Sequence, residues 1–523
     1  MTALTVLLVA AALAYAVSRW TGLPAVPMLI LAGVAGTALV PVDEQLLQDI
    51  LVLGLTVLVF TAGIELNPGR VRTWRWAALQ VGLIQFALLG AAGVGVGLLL
   101  GVPLESALYL GLALSASSTL VVVRLLKQRQ QLFEPVGRLV IGVLLLQDLL
   151  VILLIPVVSR IGNGWESVGV GVAGTLGLTL LAGLMIRWGA PFAVRRLAFD
   201  EESTLLVVLA TLFGFLGLAW LLELPLVTGA FLAGVSLSAF PVNMLVRGQL
   251  SSLSDFFHAL FFTALGAFLP IPEGVEWMRA FFLASAVVLV TPLAVAWIAE
   301  RAGFSARPAL GAGLLLAQTS EFSLVVALLG VANGQLSGEL LTVIALVTVM
   351  TMMATPFLAT ERVSLSLMRL HPSRRRRTAE PPPRDHILLL GCGRNGMSLL
   401  ELLVISDHQI AVVDDDPALV DYLDEANVRN FRGDISDPSV LEQAGALEAR
   451  VVISTIRRVD DNLPLLRLRR EGLTLVRAFH AEDADRIREL GGTPVLYSEA
   501  AATEILQWLD EHMKEPLNEE APS

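Results

Sequence analysis

A chain of 523 residues that is 55% hydrophobic, with a mean hydropathy of +0.72, cannot be an ordinary soluble protein; it is an integral membrane protein. The net charge of −11 is unevenly placed: through residue 370 there are 18 Arg/Lys and 19 Asp/Glu, and beyond it 18 and 28. The acidic C-terminal part excludes nucleic acid as an expected partner, and the single cysteine, Cys392, excludes an intramolecular disulfide framework and a thiol-based metal cluster, so no structural metal is expected.

Thirteen apolar stretches follow one another at roughly 3–18, 24–41, 46–64, 74–101, 104–123, 139–158, 166–186, 203–223, 225–240, 250–269, 280–299, 308–332 and 338–360. The first lacks a charged leader and a cleavage site and is expected to be a retained helix. With the first loop inside, inner loops carry Arg19, Arg70, Arg72, Arg75, Arg124, Lys127, Arg129, Arg138, Arg187, Arg195, Arg196, Arg247, Arg301 and Arg307, and outer loops only Arg160 and Arg279. That bias predicts an N-terminus outside and a C-terminal domain in the cytoplasm of a bacterial-type inner (plasma) membrane.

The sixth stretch buries a carboxylate, Asp148, next to Gln147 in the run Leu144-Leu145-Leu146-Gln147-Asp148-Leu149-Leu150. An ionised Asp at that depth costs several kcal/mol unless it has partners, a watery path or its own proton. A packing hydrogen bond between helices is one reading of it. The other is a site where a proton and a metal cation compete for one carboxylate, because desolvation moves an Asp pKa up from about 3.9. On that reading Asp148 is the cation ligand, with Gln147 orienting it or lending a carbonyl oxygen. Pro156 need not end this helix.

The membrane part repeats itself. Leu23-Pro24-Ala25-Val26-Pro27-Met28-Leu29-Ile30-Leu31-Ala32-Gly33-Val34 matches the twelve residues from Leu224 to Val235 at seven positions, and Phe60-Thr61-Ala62-Gly63 is echoed by Phe262-Thr263-Ala264-Leu265-Gly266, the glycines 203 apart. The second stretch thus matches the ninth and the third the tenth. A shift of seven is odd, so the two copies cross the bilayer in opposite directions, as in secondary transporters with a midplane ion site. Carried forward, the offset of 203 sets Ser117 and Ser118 opposite Ser320 and Glu321. Ser115-Ala116-Ser117-Ser118-Thr119 and Gln318-Thr319-Ser320-Glu321 each interrupt an apolar helix, which predicts two crossed, broken helices facing an ion. Ser117, Ser118, Thr119, Ser320 and Glu321 therefore join Asp148 and Gln147 as expected ion and proton ligands.

Beyond residue 370, four arginines from Arg374 to Arg377 and three prolines from Pro381 to Pro383 read as a lipid-facing basic anchor and a stiff linker. Strand-like His386–Leu390 then enters Gly391-Cys392-Gly393-Arg394-Asn395-Gly396, a helix runs to about Ile405, and a second strand, Gln409–Val413, ends at Asp414. Strand, glycines, helix, strand and acid in this order predict a dinucleotide-type fold. The glycines admit a phosphate to the helix N-terminus, and Asp414 can accept from ribose hydroxyls, favouring AMP, ADP, ATP or NAD(H) over NADP(H) as a regulatory ligand. Further strands are expected at Val451–Ser454, Leu473–Phe479 and Val495–Tyr497. Cys392 and His480 read as bystanders. The expected organisation is an all-α polytopic exchange domain of about 13 helices over 1–370, a linker over 371–384, and a cytoplasmic α/β Rossmann-like domain over 385–523.

With these residues in place, the chain resembles the second monovalent cation:proton antiporter family, the Kef-type potassium/proton antiporters with a cytoplasmic nucleotide domain, over residues 3 to about 511. The most specific points are Gln147-Asp148, Glu321-Phe322, and the glycine fingerprint followed by Gly433-Asp434. The resemblance implies that Asp148 carries cation and proton in turn, that Gly391, Gly393, Arg394, Asn395, Gly396, Asp414 and Asp434 line the nucleotide site, and that the protein is a homodimer. There are departures. Many relatives carry Lys or Arg in the eleventh helix, whereas Ala284 to Trp297 contains none and has Thr291-Pro292 near that place; this favours electroneutral exchange. The acidic loop of glutathione-gated members is not recognisable between Phe240 and Ser254, and a second ligand-binding module is not expected. K+ is expected as cargo, with Na+ as the alternative. A nucleotide-gated potassium channel would need a TVGYG-like filter, which the sequence lacks. A membrane-tethered oxidoreductase would leave Asp148 unexplained, so transport, not enzymatic catalysis, is expected.

Overall fold

The computed structural model describes residues 2–39, 43–66, 76–129, 131–132, 134–189, 201–238, 242–368, 382–405, 408–468 and 472–512. The linker expected at 371–384 lies outside the described residues through 381, as do Arg70, Arg72, Arg75, Arg195 and Arg196 and the side chains of Arg247 and Arg394. The chain forms two compact units, residues 1–302 with 309–366, and residues 303–308 with 367–523.

The first unit is helical because lipid leaves a backbone no partner but itself. Its helices are α1 (Thr2–Thr21), α2 (Ala25–Leu39), α3 (Glu44–Glu65), α4 (Trp76–Leu99), α5 (Leu104–Ser115), α6 (Thr119–Gln128), α7 (Pro135–Val158), α8 (Trp165–Leu184), α9 (Glu201–Leu221), α10 (Leu226–Ser236), α11 (Val242–Phe268), α12 (Gly274–Arg301), α13 (Ala306–Leu316), α14 (Glu321–Ala332), α15 (Gly338–Leu358) and the short α16 (Glu361–Met368). Each of the thirteen apolar stretches coincides with a helix or a broken pair. Among the described residues, nine spans are long and apolar enough to cross a membrane, and shorter apolar helices occur at 25–37, 205–221, 226–236 and 253–268. The α7 helix runs through Pro156 unbroken.

The sequence echo is a packing relation. The α2 helix lies against α11, and α3 against α10, so each helix of one copy packs on the other helix of the second copy. A Cβ on Gly33 would collide with the Thr263 carbonyl, and one on Gly266 with the Ile30 carbonyl; Gly63 and Gly234 meet the Phe231 and Phe60 carbonyls in the same reciprocal way. Only glycine allows backbones this close.

Both helix breaks open the same way. Ser118 (φ −70, ψ 119) caps α6, its side chain accepting from the Val121 N–H, and Ser320 (φ −94, ψ 159) caps α14, accepting from Phe322. The caps therefore match Ser118 with Ser320 and Thr119 with Glu321, 202 residues apart, which corrects the pairing of Ser118 with Glu321. The offset is not uniform along the repeat, 201 between Gly33 and Gly234 but 203 between Gly63 and Gly266, and helix capping fixes it locally.

The second unit carries a six-stranded parallel sheet in the order β3-β2-β1-β4-β5-β6. Its strands are β1 (Ile387–Leu390), β2 (Ile410–Asp414), β3 (Arg429–Arg432), β4 (Val451–Ser454), β5 (Leu473–Ala478) and β6 (Thr493–Leu496). Leu388, Leu390, Val413 and Val452 fill one face, and Leu389, Val412 and Leu400 the other, as a parallel sheet covered on both sides requires. The β3 strand was not expected, since Arg429-Asn430-Phe431-Arg432 has one apolar residue; it is an edge strand, half exposed. The last strand begins at Thr493 and ends before Tyr497, which opens the final helix. Cys392 is 1% exposed, and burial, helped by the nearby Asp414 charge, pushes its thiol up to about 12.

Two outcomes follow from the packing. Gly63→Val and Gly234→Val force apart a backbone contact and should each cost about 1–3 kcal/mol or more, read as a lower melting temperature in detergent. Gly95→Ala, whose Cβ would meet nothing within 4 Å, should be neutral; equal melting temperatures for all three would refute the close crossing. Cys392 should react with maleimide at pH 8 at least about a thousandfold more slowly than a free cysteine until the protein is denatured, since the thiolate is the reacting form.

Candidate functional site

The α7 helix carries Gln147 and Asp148 into the interior of the first unit, where they are 0% and 7% exposed. Asp148 Oδ2 accepts from the Thr119 hydroxyl at 2.9 Å, and among the described residues its Oδ1 has no partner. Gln147 Oε1 accepts from the Ser117 N–H at 3.0 Å, while its Nε2 has no partner among the described residues. The α7 helix is thus fastened to the first break at two successive residues, with one carboxylate oxygen left open.

Asp148 lines a cavity of about 270 Å³ with Thr119, Glu321, Phe322, Thr61, Glu65, Ser254, Asp255 and His258 among its other walls. Asp148 and Glu321 are buried, while Glu65 and Asp255 are exposed at its rim. His258 Nδ1 sits 2.6 Å from the Ser254 carbonyl and 3.0 Å from its hydroxyl. The cavity's remaining walls are apolar, and its carboxylates and hydroxyls suit a hard cation, whose water oxygen ligands replace, or a proton.

The two breaks satisfy one another. Ser117 Oγ donates to the Leu316 carbonyl at the end of α13, at 2.8 Å, and Ser323 Oγ, in the first turn of α14, donates to the Ala113 carbonyl near the end of α5. Gln85 Nε2 approaches Ser117 Oγ at 3.4 Å. The backbone N–H at each break goes to the following long helix: that of Ser117 to Gln147, and that of Thr319 to the Thr351 hydroxyl at 3.2 Å. Thr319 Oγ1 lies 3.1 Å from Thr348 Oγ1 and 3.3 Å from Thr351 Oγ1. The second copy therefore repeats the fastening with hydroxyls in place of the carboxylate and amide.

All seven expected ligands lie at these two breaks or on α7. Asp148, Thr119 and Glu321 line the cavity; Gln147 and Ser117 hold the frame; Ser118 and Ser320 act as caps, and Ser320 serves its own helix. Glu65, Ser254, Asp255 and His258 were not expected. Glu65 stands at the end of an apolar stretch, where a charge reads as interfacial, and the other three lie in the first half of another, where the i, i+4 spacing of Ser254 and His258 marks one helix face.

In the second unit, Gly391 adopts φ +80, a turn conformation that favours glycine. A Cβ on Gly396 would collide with the Gly391 carbonyl, whereas one on Gly393 would meet nothing within 4 Å. The loop thus packs tightly at its third glycine and stays open at its second, beside the N-terminus of the Arg394–Ile405 helix, where a phosphate would sit. Asp414 Oδ2 accepts from the Cys392 N–H at 2.6 Å and Oδ1 from the Asp416 N–H at 2.8 Å, so it braces this loop. Burial raises its pKa, and these N–H donors oppose the rise. A carboxylate has about four lone-pair positions, so both oxygens keep room for ribose hydroxyls. Asn395, in the amide orientation its surroundings favour, accepts from Arg477 at 2.8 and 2.9 Å. Asp434 follows β3 and accepts from the Ser436 N–H at 2.8 Å.

Comparison with known proteins gives the same division. Residues 7–360 match the sodium/hydrogen exchanger, transmembrane, family model, and residues 387–506 the TrkA-N domain. The chain is 28% identical over 439 residues to the glutathione-regulated potassium-efflux system protein KefC of Salmonella schwarzengrund, covering 82% of this chain and 70% of that one. It is 27% identical over 468 residues to the protein of the same name from Cronobacter sakazakii, covering 86% and 74%. The solved sodium proton antiporter MjNhaP1 from Methanocaldococcus jannaschii superposes with a TM-score of 0.56 at 14% identity, covering 70% of this chain and 97% of that one, which is a likeness of fold. The chain belongs to the sodium/hydrogen exchanger family, and a TrkA-N domain follows its exchanger unit.

Proposed function

We propose that the membrane unit exchanges a monovalent cation, K+ in preference to Na+, for a proton, and that Asp148 holds each in turn. The observation that carries this reading is the Asp148 carboxylate: buried, fastened through one oxygen to Thr119, without a partner among the described residues at the other, and part of a residue that lines an acid-rimmed cavity. A carboxylate so placed is costly when empty and ionised, and either a proton or a cation relieves the cost. Gln147, Ser117, Ser118, Thr119, Ser320 and Glu321 form the surrounding frame. The potassium-efflux names of the curated relatives favour K+, while the family description supports Na+ as the alternative. Exchange is one for one and electroneutral, a reading supported by the lack of any basic residue from Ala284 to Trp297. The protein works as a homodimer in the lipid of a bacterial-type inner membrane, with its N-terminus outside and residues 385–523 forming a cytoplasmic regulatory domain joined by the 371–384 linker to the exchange domain, 1–370.

In proteoliposomes, Asp148→Asn should reduce K+- or Na+-driven dissipation of a pH gradient to the leak rate while the protein stays monodisperse; wild-type-like dissipation would exclude Asp148 as the carrier. Gln147→Ala should weaken the cation dependence severalfold. Transport currents on solid-supported membranes should be absent, and currents that persist with proton leak blocked would refute one-for-one exchange.

The TrkA-N unit binds an adenine nucleotide, AMP, ADP, ATP or NAD(H), without consuming it, and the bound nucleotide biases the exchange unit. The open Gly393 position and the braced Asp414 support that assignment. A regulatory ligand shifts an equilibrium by its differential affinity for two states, typically about 1–3 kcal/mol. Asp414→Ala should weaken nucleotide binding to the full-length protein and remove the nucleotide's effect on flux while leaving basal exchange intact. Calorimetry detecting no heat with any of the four nucleotides would leave the domain a structural role alone.

A further inference from the structure

A second cavity of the membrane unit plays no part in the exchange reading. It measures about 220 Å³, room for roughly seven waters, and its walls come from α1, the start of α2, α6, α11 and the end of α15. Pro24 opens the second apolar stretch, Arg124 directly follows the fifth, Asp255 lies early in the tenth and Pro356 late in the thirteenth. Successive stretches cross in alternate directions, so these positions share one face of the membrane, at the depth where headgroups meet acyl chains. Most of the walls are apolar, but the cavity also carries a fixed charge of each sign, and the two do not neutralise one another. Arg124, half-buried, donates through Nη1 to the Leu23 carbonyl at 3.3 Å, which uses one of its five N–H donors. Asp255 is exposed on α11, and among the described residues neither it nor Arg124 forms an ion pair. His258, the other ionisable ring on the wall, is engaged with Ser254 through Nδ1.

We propose that this cavity binds the headgroup of a zwitterionic phospholipid bearing a primary amine, with its phosphate on Arg124, its ammonium on Asp255 and its glycerol and first acyl carbons along the apolar walls. A guanidinium grips phosphate through paired N–H donors, and an ammonium donates to a carboxylate. A purely anionic ligand would bring its charge beside Asp255, and a purely cationic one beside Arg124. A small soluble zwitterion would leave the apolar walls uncovered. Tyr15, exposed on the α1 wall, is of the side-chain type enriched at headgroup depth. Leu120, Asp255 and His258 line both this cavity and the one that contains Asp148, and Arg124 stands on the half-helix whose first residue, Thr119, holds Asp148. A lipid held between Arg124 and Asp255 therefore spans α6 and α11 beside the ion site.

The test is native mass spectrometry of the delipidated full-length protein in detergent, titrated with phosphatidylethanolamine, phosphatidylcholine and phosphatidylglycerol of identical acyl chains. Wild type should bind phosphatidylethanolamine about tenfold or more tightly than phosphatidylcholine, whose trimethylammonium has no N–H to donate, and than phosphatidylglycerol, which has no cation. Arg124→Ala and Asp255→Asn should each remove that preference. Equal binding of the three lipids by wild type would mean surface lipid only and overturn the proposal, as would an undiminished preference in both variants. Tight phosphatidylglycerol binding that survives Asp255→Asn would make the ligand an anionic lipid instead. Glycerophosphoethanolamine, the same headgroup without chains, should not displace the lipid at equal concentration; if it does, the site takes a soluble zwitterion and the proposal fails. Should Arg124→Ala not fold, Arg124→Lys, which keeps the charge and loses the paired donors, should still weaken phosphatidylethanolamine binding severalfold, and unchanged binding in it and in Asp255→Asn would again refute the site.

Discussion

A helix interrupted in the middle of a membrane exposes N–H groups on one side of the gap and carbonyls on the other, and hydrocarbon offers neither a partner. Two such gaps, at residues 116–118 and 317–320, would each be prohibitive alone. Brought together they supply what the other lacks: a serine from each half reaches a carbonyl end of the opposite half, and each gap passes a backbone N–H to the long helix behind it. The glycine crossings of α2 with α11 and α3 with α10 bring the two copies close enough for these short side chains to reach.

The same arrangement explains why a carboxylate can sit there. Asp148 is stabilised enough by Thr119 to remain in position and too little to be at rest when charged. A fully hydrogen-bonded Asp would bind neither proton nor cation well, since hydrogen bonds to the charged form lower the pKa and occupy ligand positions. An Asp without Thr119 would lack a defined position. The Thr319, Thr348 and Thr351 cluster shows the alternative: behind the second gap, hydroxyls stand where the first has an amide and a carboxylate.

How much of this could be read from the residues depended on contrast. Asp148 stood out because a charge inside an apolar run needs an explanation, and Gly33, Gly63, Gly234 and Gly266 because identical small residues recurred at nearly constant spacing. The glycine loop and Asp414 were legible because turn, helix start and strand end occupy fixed distances along the chain. Thr348 and Thr351 were not, since a threonine in an apolar helix ordinarily bonds its own preceding turn, as both also do here. Glu65, Asp255 and His258 escaped because sequence position places Glu65 at a helix end and the other two within a helix without saying that the two helices turn these residues toward one cavity. The β3 edge strand lacked the apolar alternation that marks a strand, because its neighbours on one side are solvent.

The mutual closure of the gaps also sets a condition on biosynthesis. Ser117 and the Leu316 carbonyl are 199 residues apart, and Ala113 and Ser323 are 210 apart. At a synthesis rate of about 5–20 residues per second, the first gap exists in the bilayer for roughly 10–40 s before its complement has been made. During that interval its carbonyls and N–H groups must be met by water, by the insertion machinery or by the helix continuing unbroken across residues 116–118.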